Sequence, residues 1–117
     1  MRFKKAPANL RTAAAICSAL LAWSLPAFAQ VPGWTGWSTV VELVNTASGG
    51  VNVRLSPDLT GCTSQSGYGG AFASIYPDHA AISRMKADLL VAFTTGAHVE
   101  LYLSDSTCKV AEMRLSQ

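Results

Sequence analysis

The segment from Tyr76 to Leu115 constrains the fold of this chain more than any other part of the sequence. Asp78 can cap the start of a helix, because its carboxylate accepts hydrogen bonds from the first free backbone N–H groups. Gly96 supplies the left-handed residue that commonly ends a helix. The pattern therefore predicts a helix from His79 to Thr95, followed by two strands with Cys108 in the turn between them. The main apolar stripe of this helix contains Ile82, Met85, Leu89, Ala92 and Phe93.

Three shorter segments before the helix have the alternating pattern of β-strands. The second of them has Val51, Val53 and Leu55 on the face expected to be buried. Asn52 lies on its other face, which is expected to be outward. The third, from Tyr68 to Tyr76, is rich in glycine and alanine, as at a bulge or at the bend where a barrel closes. The stronger apolar face of the first strand consists of Trp37, Thr39, Val41 and Leu43.

The element order β-β-β-α-β-β predicts a mainly β protein with one helix, folded as a five-stranded OB-like barrel. In such a barrel the first strand pairs antiparallel with the second and with the fourth. The loop after the second strand and the loop after the fourth then lie at the same end. These loops contain Cys62 and Cys108, so the cysteine positions agree with the predicted topology. An α+β sheet with the helix across one face is the alternative fold.

The first 29 residues have the three parts of a cleaved signal peptide. A basic segment is followed by an apolar core from Thr12 to Leu25 and by Pro26–Ala29, which ends in the small residues that signal peptidase accepts. The apolar core is shorter than the roughly 20 residues that a membrane-spanning helix needs. We therefore expect cleavage after Ala29, a secreted or periplasmic product without a membrane span, and a single OB-like domain over residues 30–117.

Removal of the first 29 residues changes the sign of the net charge. The whole chain has nine Lys and Arg against seven Asp and Glu, a net charge of +2. Four of the basic residues belong to the predicted signal peptide, so residues 30–117 keep five basic and seven acidic residues. A weakly acidic domain lacks the basic patch with which proteins bind nucleic-acid backbones. We expect no nucleic acid among its partners.

Cys62 and Cys108 are the two cysteines that remain after cleavage. A domain of about 90 residues buries a limited share of its surface, and small exported domains are commonly stabilised by disulfides. A disulfide that closes a loop of about 47 residues would contribute about 4 kcal/mol. A catalytic thiol or a metal ligand is the competing interpretation, but neither cysteine has partners at a suitable spacing. We predict a Cys62–Cys108 disulfide, no metal site and no cofactor.

The sequence offers little support for catalysis. His79 and His98 remain after cleavage, and neither lies in a motif such as a nucleophile elbow. A chain with many serines and acidic residues provides a Ser, a His and an Asp by composition alone, so their presence does not indicate a triad. We expect a protein that is not an enzyme.

Aromatic residues are the better candidates for a binding site. Aromatic faces beside polar groups such as Asn45, Asn52, Ser64 and Gln65 are typical of sugar sites, where a ring stacks and polar groups bind hydroxyls. The competing interpretation is that Trp37 and at least one tyrosine belong to the core or to a subunit contact. The candidate binding residues are Trp34, Trp37, Tyr68, Tyr76 and Tyr102.

The segment Met85–Tyr102, with its helix, Thr94-Thr95-Gly96 stop and alternating strand, resembles the helix–glycine–strand signature of the B subunits of subtilase cytotoxin and typhoid toxin. It also resembles small secreted proteins of proteobacteria. The resemblance implies an OB-type barrel and, for the toxin members, a pentameric ring that binds glycans beside an enzymatic partner chain. We carry over none of the sugar-contacting residues of those subunits to positions in this chain.

Two functions follow as expectations. The first is a secreted, non-enzymatic, glycan-binding module similar to those toxin B subunits. The second is a periplasmic or secreted accessory or inhibitor protein that binds another exported protein. Leu90 and Val91 lie off the main helix stripe, and Val40 and Val44 lie on the second face of the first strand. Such residues predict a homo-oligomer, with a pentamer-like ring as its form, unless they are scattered singly over the surface.

Overall fold

The computed structural model describes residues 30–117, and the predicted signal peptide lies outside the described residues. The described part is mainly β with one α-helix, as predicted. Within it, the helix falls short of the length and apolar character needed to cross a membrane. In chain order the elements are β1 Gly33–Trp34, β2 Ser38–Asn45, β3 Val51–Ser56, β4 Phe72–Ile75, α1 Ile82–Thr95, β5 His98–Leu103 and β6 Val110–Ser116.

The strands form one curled sheet in which every paired strand is antiparallel to its neighbour. β2 pairs with β3 and with β5, which confirms the predicted pairing of the first main strand. The sheet ends in β4 on one side and β6 on the other. A parallel bridge between Ser74 and Lys109 brings these two ends together, and the Ser74 N–H donates to the Cys108 carbonyl at 3.0 Å. The sheet is therefore curled strongly enough for its end strands to meet.

A β-bulge in β2 changes which residues face the core. The register with β3 shifts between Val40 and Glu42, and an extra residue at that point moves the following side chains to the opposite face. Before the bulge Val40 faces the core and is buried, whereas Trp37 and Val41 are exposed. After the bulge the buried phase changes, and Leu43 packs against the core. The predicted apolar face, which placed Trp37 and Val41 inward, is wrong in this half of the strand.

The remaining differences from the predicted elements are local. The lead-in contains a sixth, two-residue strand, β1, and the predicted strand Tyr68–Tyr76 is shortened to β4. The positive φ angles of Gly67 and Gly69 do not fit an extended strand, so the chain enters β4 only at Phe72.

Helix α1 ends as predicted and begins later than predicted. Gly96 has φ +76°, and its N–H donates to the Ala92 carbonyl at 2.9 Å. At the other end Ala81 is the N-cap residue and no side chain caps the helix, so the predicted cap by Asp78 is wrong. The turn before the helix is closed instead by the His79 N–H, which donates to the Tyr76 carbonyl at 3.1 Å.

The core lies between α1 and the inner face of the sheet. Met85, Leu89 and Ala92 are buried against it as predicted, whereas Phe93 is 48% exposed and was wrongly placed in the stripe. Phe93 lies at the margin of the stripe, and the narrow curled sheet covers only its centre. The sheet contributes Val51, Val53, Leu55, Ala73, Ile75, Val99, Leu101, Leu103 and Val110 to the same cluster.

The predicted Cys62–Cys108 disulfide is present and joins the β3–β4 loop to the β5–β6 loop, with Cα atoms 5.2 Å apart. Asn52 was predicted to face outward, but it is completely buried. The β3–β4 loop folds over it, so that Asn52 Nδ2 donates to the Gln65 carbonyl at 2.8 Å. Its Oδ1 accepts from the Ser74 hydroxyl at 2.7 Å.

Candidate binding surface

The outer face of β5, with its neighbours β1 and β6, holds the candidate site. Alternate residues of a strand share a face, so Glu100 and Tyr102 point away from the core while Leu101 points into it. In the sheet register Tyr102 lies between Trp34 on β1 and Glu112 on β6. Because of this register, residues that are far apart in sequence form adjacent rows on one surface.

Three of the five predicted aromatic residues meet on this surface. The rings of Trp34 and Tyr102 are 5.3 Å apart and make an edge-to-face contact at 75°. The guanidinium of Arg114 lies over the Trp34 ring at 4.5 Å and over the Trp37 ring at 5.2 Å. We call Trp34, Trp37, Tyr102 and Arg114 the aromatic cluster. Each of its three rings is between 38% and 47% exposed, so the rings are held by their neighbours and still open to solvent.

Glu100 lies beneath the aromatic cluster and binds Arg114. The two residues are opposite each other in the β5–β6 register, and Arg114 donates to a carboxylate oxygen of Glu100. Glu100 is only 7% exposed, whereas the Arg114 side chain remains 54% exposed. A buried carboxylate requires such a charge-assisted partner. The ion pair therefore ties the guanidinium to the sheet while the guanidinium lies against both indoles.

A bend between β1 and β2 explains why Trp34 and Trp37 share one face. They are three residues apart, an odd spacing that would place them on opposite faces of a regular strand. Gly36, with φ +86°, breaks the strand between them. Thr35 fixes the bend, because its N–H donates to the Leu101 carbonyl at 2.9 Å and its Oγ1 accepts from the Leu101 N–H at 3.1 Å.

Tyr68 and Tyr76 lie outside the aromatic cluster. Tyr68 makes an edge-to-face contact with Phe72 at 6.0 Å in the β3–β4 loop. Tyr76 lies beneath the ammonium group of Lys109, which is 5.3 Å from the centre of its ring. The structure therefore separates the five candidate residues into one group of three and two isolated tyrosines.

His79 connects the turn before α1 to β6. His79 Nδ1 accepts from the Ala81 N–H at 3.0 Å, and its Nε2 is 2.8 Å from the Ala111 carbonyl. Both contacts are satisfied by the neutral ring with the proton on Nε2. Residues 30–117 contain no group of three His, Cys, Asp or Glu side chains that could hold a metal ion.

Two charged groups outside the aromatic cluster have shifted pKa values. A hydrogen bond from the Thr107 hydroxyl lowers the pKa of Asp105, which also accepts from the Thr107 N–H in the β5–β6 turn. The hydrogen bond to Asp58 raises the pKa of Arg54. Both shifts arise from local hydrogen bonds that stabilise turns, and neither group contacts the aromatic cluster.

Sequence reasoning found the aromatic rings but did not include Glu100 and Arg114 among the candidate residues. The signal for Glu100 lay in the strand spacing, because Glu100 is two residues from Tyr102 and therefore on the same outward phase.

The aromatic cluster offers flat apolar faces for stacking beside groups that donate and accept hydrogen bonds. No family model matches this chain, and no curated protein matches it.

Proposed function

We propose that this protein is an exported, non-enzymatic binding module that binds glycans through the aromatic cluster. The observation that carries the proposal is the convergence of Trp34, Trp37 and Tyr102 on one outer surface, where all three rings remain open to solvent. Sugar rings present apolar C–H faces that stack on aromatic side chains and hydroxyls that need polar partners. Such partners are at hand in the exposed carboxylate of Glu112 and the guanidinium of Arg114.

The fold proposed for this module is a small OB-type barrel. Its support is the pairing of β2 with both β3 and β5 and the parallel contact at Ser74 and Lys109 between the sheet ends. Export is supported by the disulfide, because such bonds persist in oxidising compartments outside the cytoplasm. The resemblance of Met85–Tyr102 to toxin B subunits agrees with both proposals.

A second candidate function, binding to protein, rests on α1. Leu90, Val91 and Phe93 are 47–56% exposed, which is unusual for three large apolar residues within one turn of a helix. Contact with further copies of the chain, as in a ring, would cover part of this surface and would increase weak glycan affinity through avidity. The other form of this function is contact with a different exported protein.

Glycan binding should depend on the aromatic cluster. We expect residues 30–117 to give reproducible signals on a glycan array and the Trp34→Ala variant to lose about fivefold in affinity, because a stacked aromatic contact contributes about 1 kcal/mol. Tyr68→Ala is the matched control, since Tyr68 is a half-exposed aromatic outside the cluster. Equal losses in both variants, or an array without signals, would contradict the proposed site.

Self-association should depend on the helix surface. Light scattering on residues 30–117 at micromolar concentration should give a mass of several chains, and Leu90→Glu should reduce it to that of one chain. Leu90 is 56% exposed, so the substitution places a charge in the proposed contact without disturbing the core. Ser83→Glu is the control, because Ser83 is also exposed on α1. A wild-type mass of one chain would exclude the ring.

A further inference from the structure

We propose that the aromatic cluster is built for an uncharged sugar, and that Arg114 positions the two indoles instead of capturing an anionic ligand. This inference rests on the proposed glycan function and names the ligand class of the same site. It follows from three features of the cluster: the partner of the Arg114 charge, the contacts of its guanidinium with the indoles, and the remaining charge around the rings.

The charge of Arg114 already has a partner. Glu100 is 7% exposed and binds the guanidinium from beneath the cluster. If Arg114 turned toward the carboxylate of a ligand, Glu100 would remain as an unpaired charge in a largely buried position, which is strongly unfavourable. The structure is therefore more stable when Arg114 binds Glu100 than when Arg114 turns to bind an anionic ligand.

The guanidinium also lies against both indoles. Its central carbon lies 4.5 Å from the centre of the Trp34 ring and 5.2 Å from that of Trp37. A planar guanidinium stacks on aromatic rings, and an ammonium group lacks this geometry. Arg114 thus links the two indoles and fixes their separation, which leaves the solvent-exposed parts of the rings for a ligand.

The remaining charge beside the rings is negative. Glu112 lies opposite Tyr102 in the β5–β6 register and is exposed on the same face as Arg114. Glu100 and Glu112 together carry two negative charges, and Arg114 carries one positive charge. An acidic sugar stacked on Trp34 or Tyr102 would meet the Glu112 carboxylate, whereas the hydroxyls of a neutral sugar could donate to it.

The experiment compares oligosaccharides of neutral hexoses with the matched uronic-acid forms, which differ only in a carboxylate. Titrations of residues 30–117 followed by tryptophan fluorescence should show the neutral form binding at least about fivefold more tightly. The affinity for the neutral sugar should be the same at low salt and at about 0.5 M salt, because salt does not screen the binding of an uncharged ligand.

Substitution of Glu100 tests the role of Arg114. Glu100→Gln keeps the side-chain shape but frees the guanidinium charge, so the preference for the neutral sugar should fall by about fivefold. Glu42→Gln is the control, because Glu42 is an exposed carboxylate that pairs with Arg54 elsewhere on the sheet. Arg114→Lys retains the charge and loses the stacking, so it should weaken neutral-sugar binding and change the near-ultraviolet circular dichroism of the indoles.

Each outcome separates the inference from the proposed function. Tighter binding of the uronic-acid form, weakened by salt, would overturn the inference and leave glycan binding intact. Binding of neither form would overturn both. A neutral preference that Glu100→Gln leaves unchanged would overturn the role assigned to Arg114. Should Glu100→Gln fail to fold, the comparison of the two sugars at two salt concentrations on the wild-type protein still decides the ligand class.

Discussion

Replacement of Cys62 and Cys108 by alanine should lower the free energy of unfolding by about 4 kcal/mol, the largest effect that we expect from any local change. The disulfide joins two loops that are separated by 46 residues, and the reduced unfolded chain regains the freedom that this closed loop removes. For a domain of about 90 residues that loss corresponds to a fall in melting temperature of at least about 15 °C. Thermal unfolding followed by circular dichroism measures it.

The wild-type protein in reducing agent is the matched control, since it has the same loss of the cross-link without a change of side chain. Both samples should melt together, well below the oxidised protein. Because Cys108 is completely buried, alanine is preferred to serine, which would place an unpaired hydroxyl in the core. A melting temperature that is the same with and without the disulfide would show that the cross-link does not stabilise the domain.

Local patterns predicted most of the elements because their signals are contained within a few residues. The apolar spacing of Met85, Leu89 and Ala92 predicted the buried helix face, and Gly96 predicted its end. The alternation along β5 places His98, Glu100 and Tyr102 on one outward phase, and His98 and Tyr102 are exposed, whereas Glu100 is buried. The disulfide was also predictable, since the element order brings the two cysteine loops to one end.

Features that depend on contacts between elements were not predictable in this way. The alternation of apolar residues continues through Val40 and Val41, so nothing in it reveals the bulge that reverses the buried face. Asn52 has the spacing of an outward residue, yet the β3–β4 loop folds over it and buries it. In both cases the tertiary arrangement overrides the local pattern.

The candidate site was half predictable for the same reason. Tyr102 follows from strand alternation, but the meeting of Trp34 and Trp37 requires the bend at Gly36. The contribution of Arg114 requires the register of β5 and β6, which sequence alternation alone does not specify. A site assembled from three strands is therefore visible in sequence only as separate aromatic residues.

Asn52→Leu should lower the free energy of unfolding by about 3 kcal/mol, because it keeps the branching of the side chain but removes two buried hydrogen bonds. The Asn52 amide donates to the Gln65 carbonyl at 2.8 Å, and its oxygen accepts from the Ser74 hydroxyl at 2.7 Å. The Gln65 N–H in turn donates to the same hydroxyl at 3.0 Å. Loss of Asn52 leaves buried polar groups without partners and detaches the β3–β4 loop from the sheet. Urea denaturation measures the loss of stability, and hydrogen exchange should become faster in the β3–β4 loop.

Asn45→Leu is the matched control, since Asn45 is an exposed residue at the end of β2 and should change stability by less than about 0.5 kcal/mol. Asn52→Leu combined with Ser74→Ala should lower the free energy of unfolding by less than the sum of the two single substitutions, because both remove the same hydrogen bond between Asn52 and Ser74. The double variant should still be less stable than the wild-type protein, since the Gln65 carbonyl and the Gln65 N–H both lose their partners. If Asn52→Leu and Asn45→Leu lost equal stability, the network would contribute nothing to holding the β3–β4 loop on the sheet.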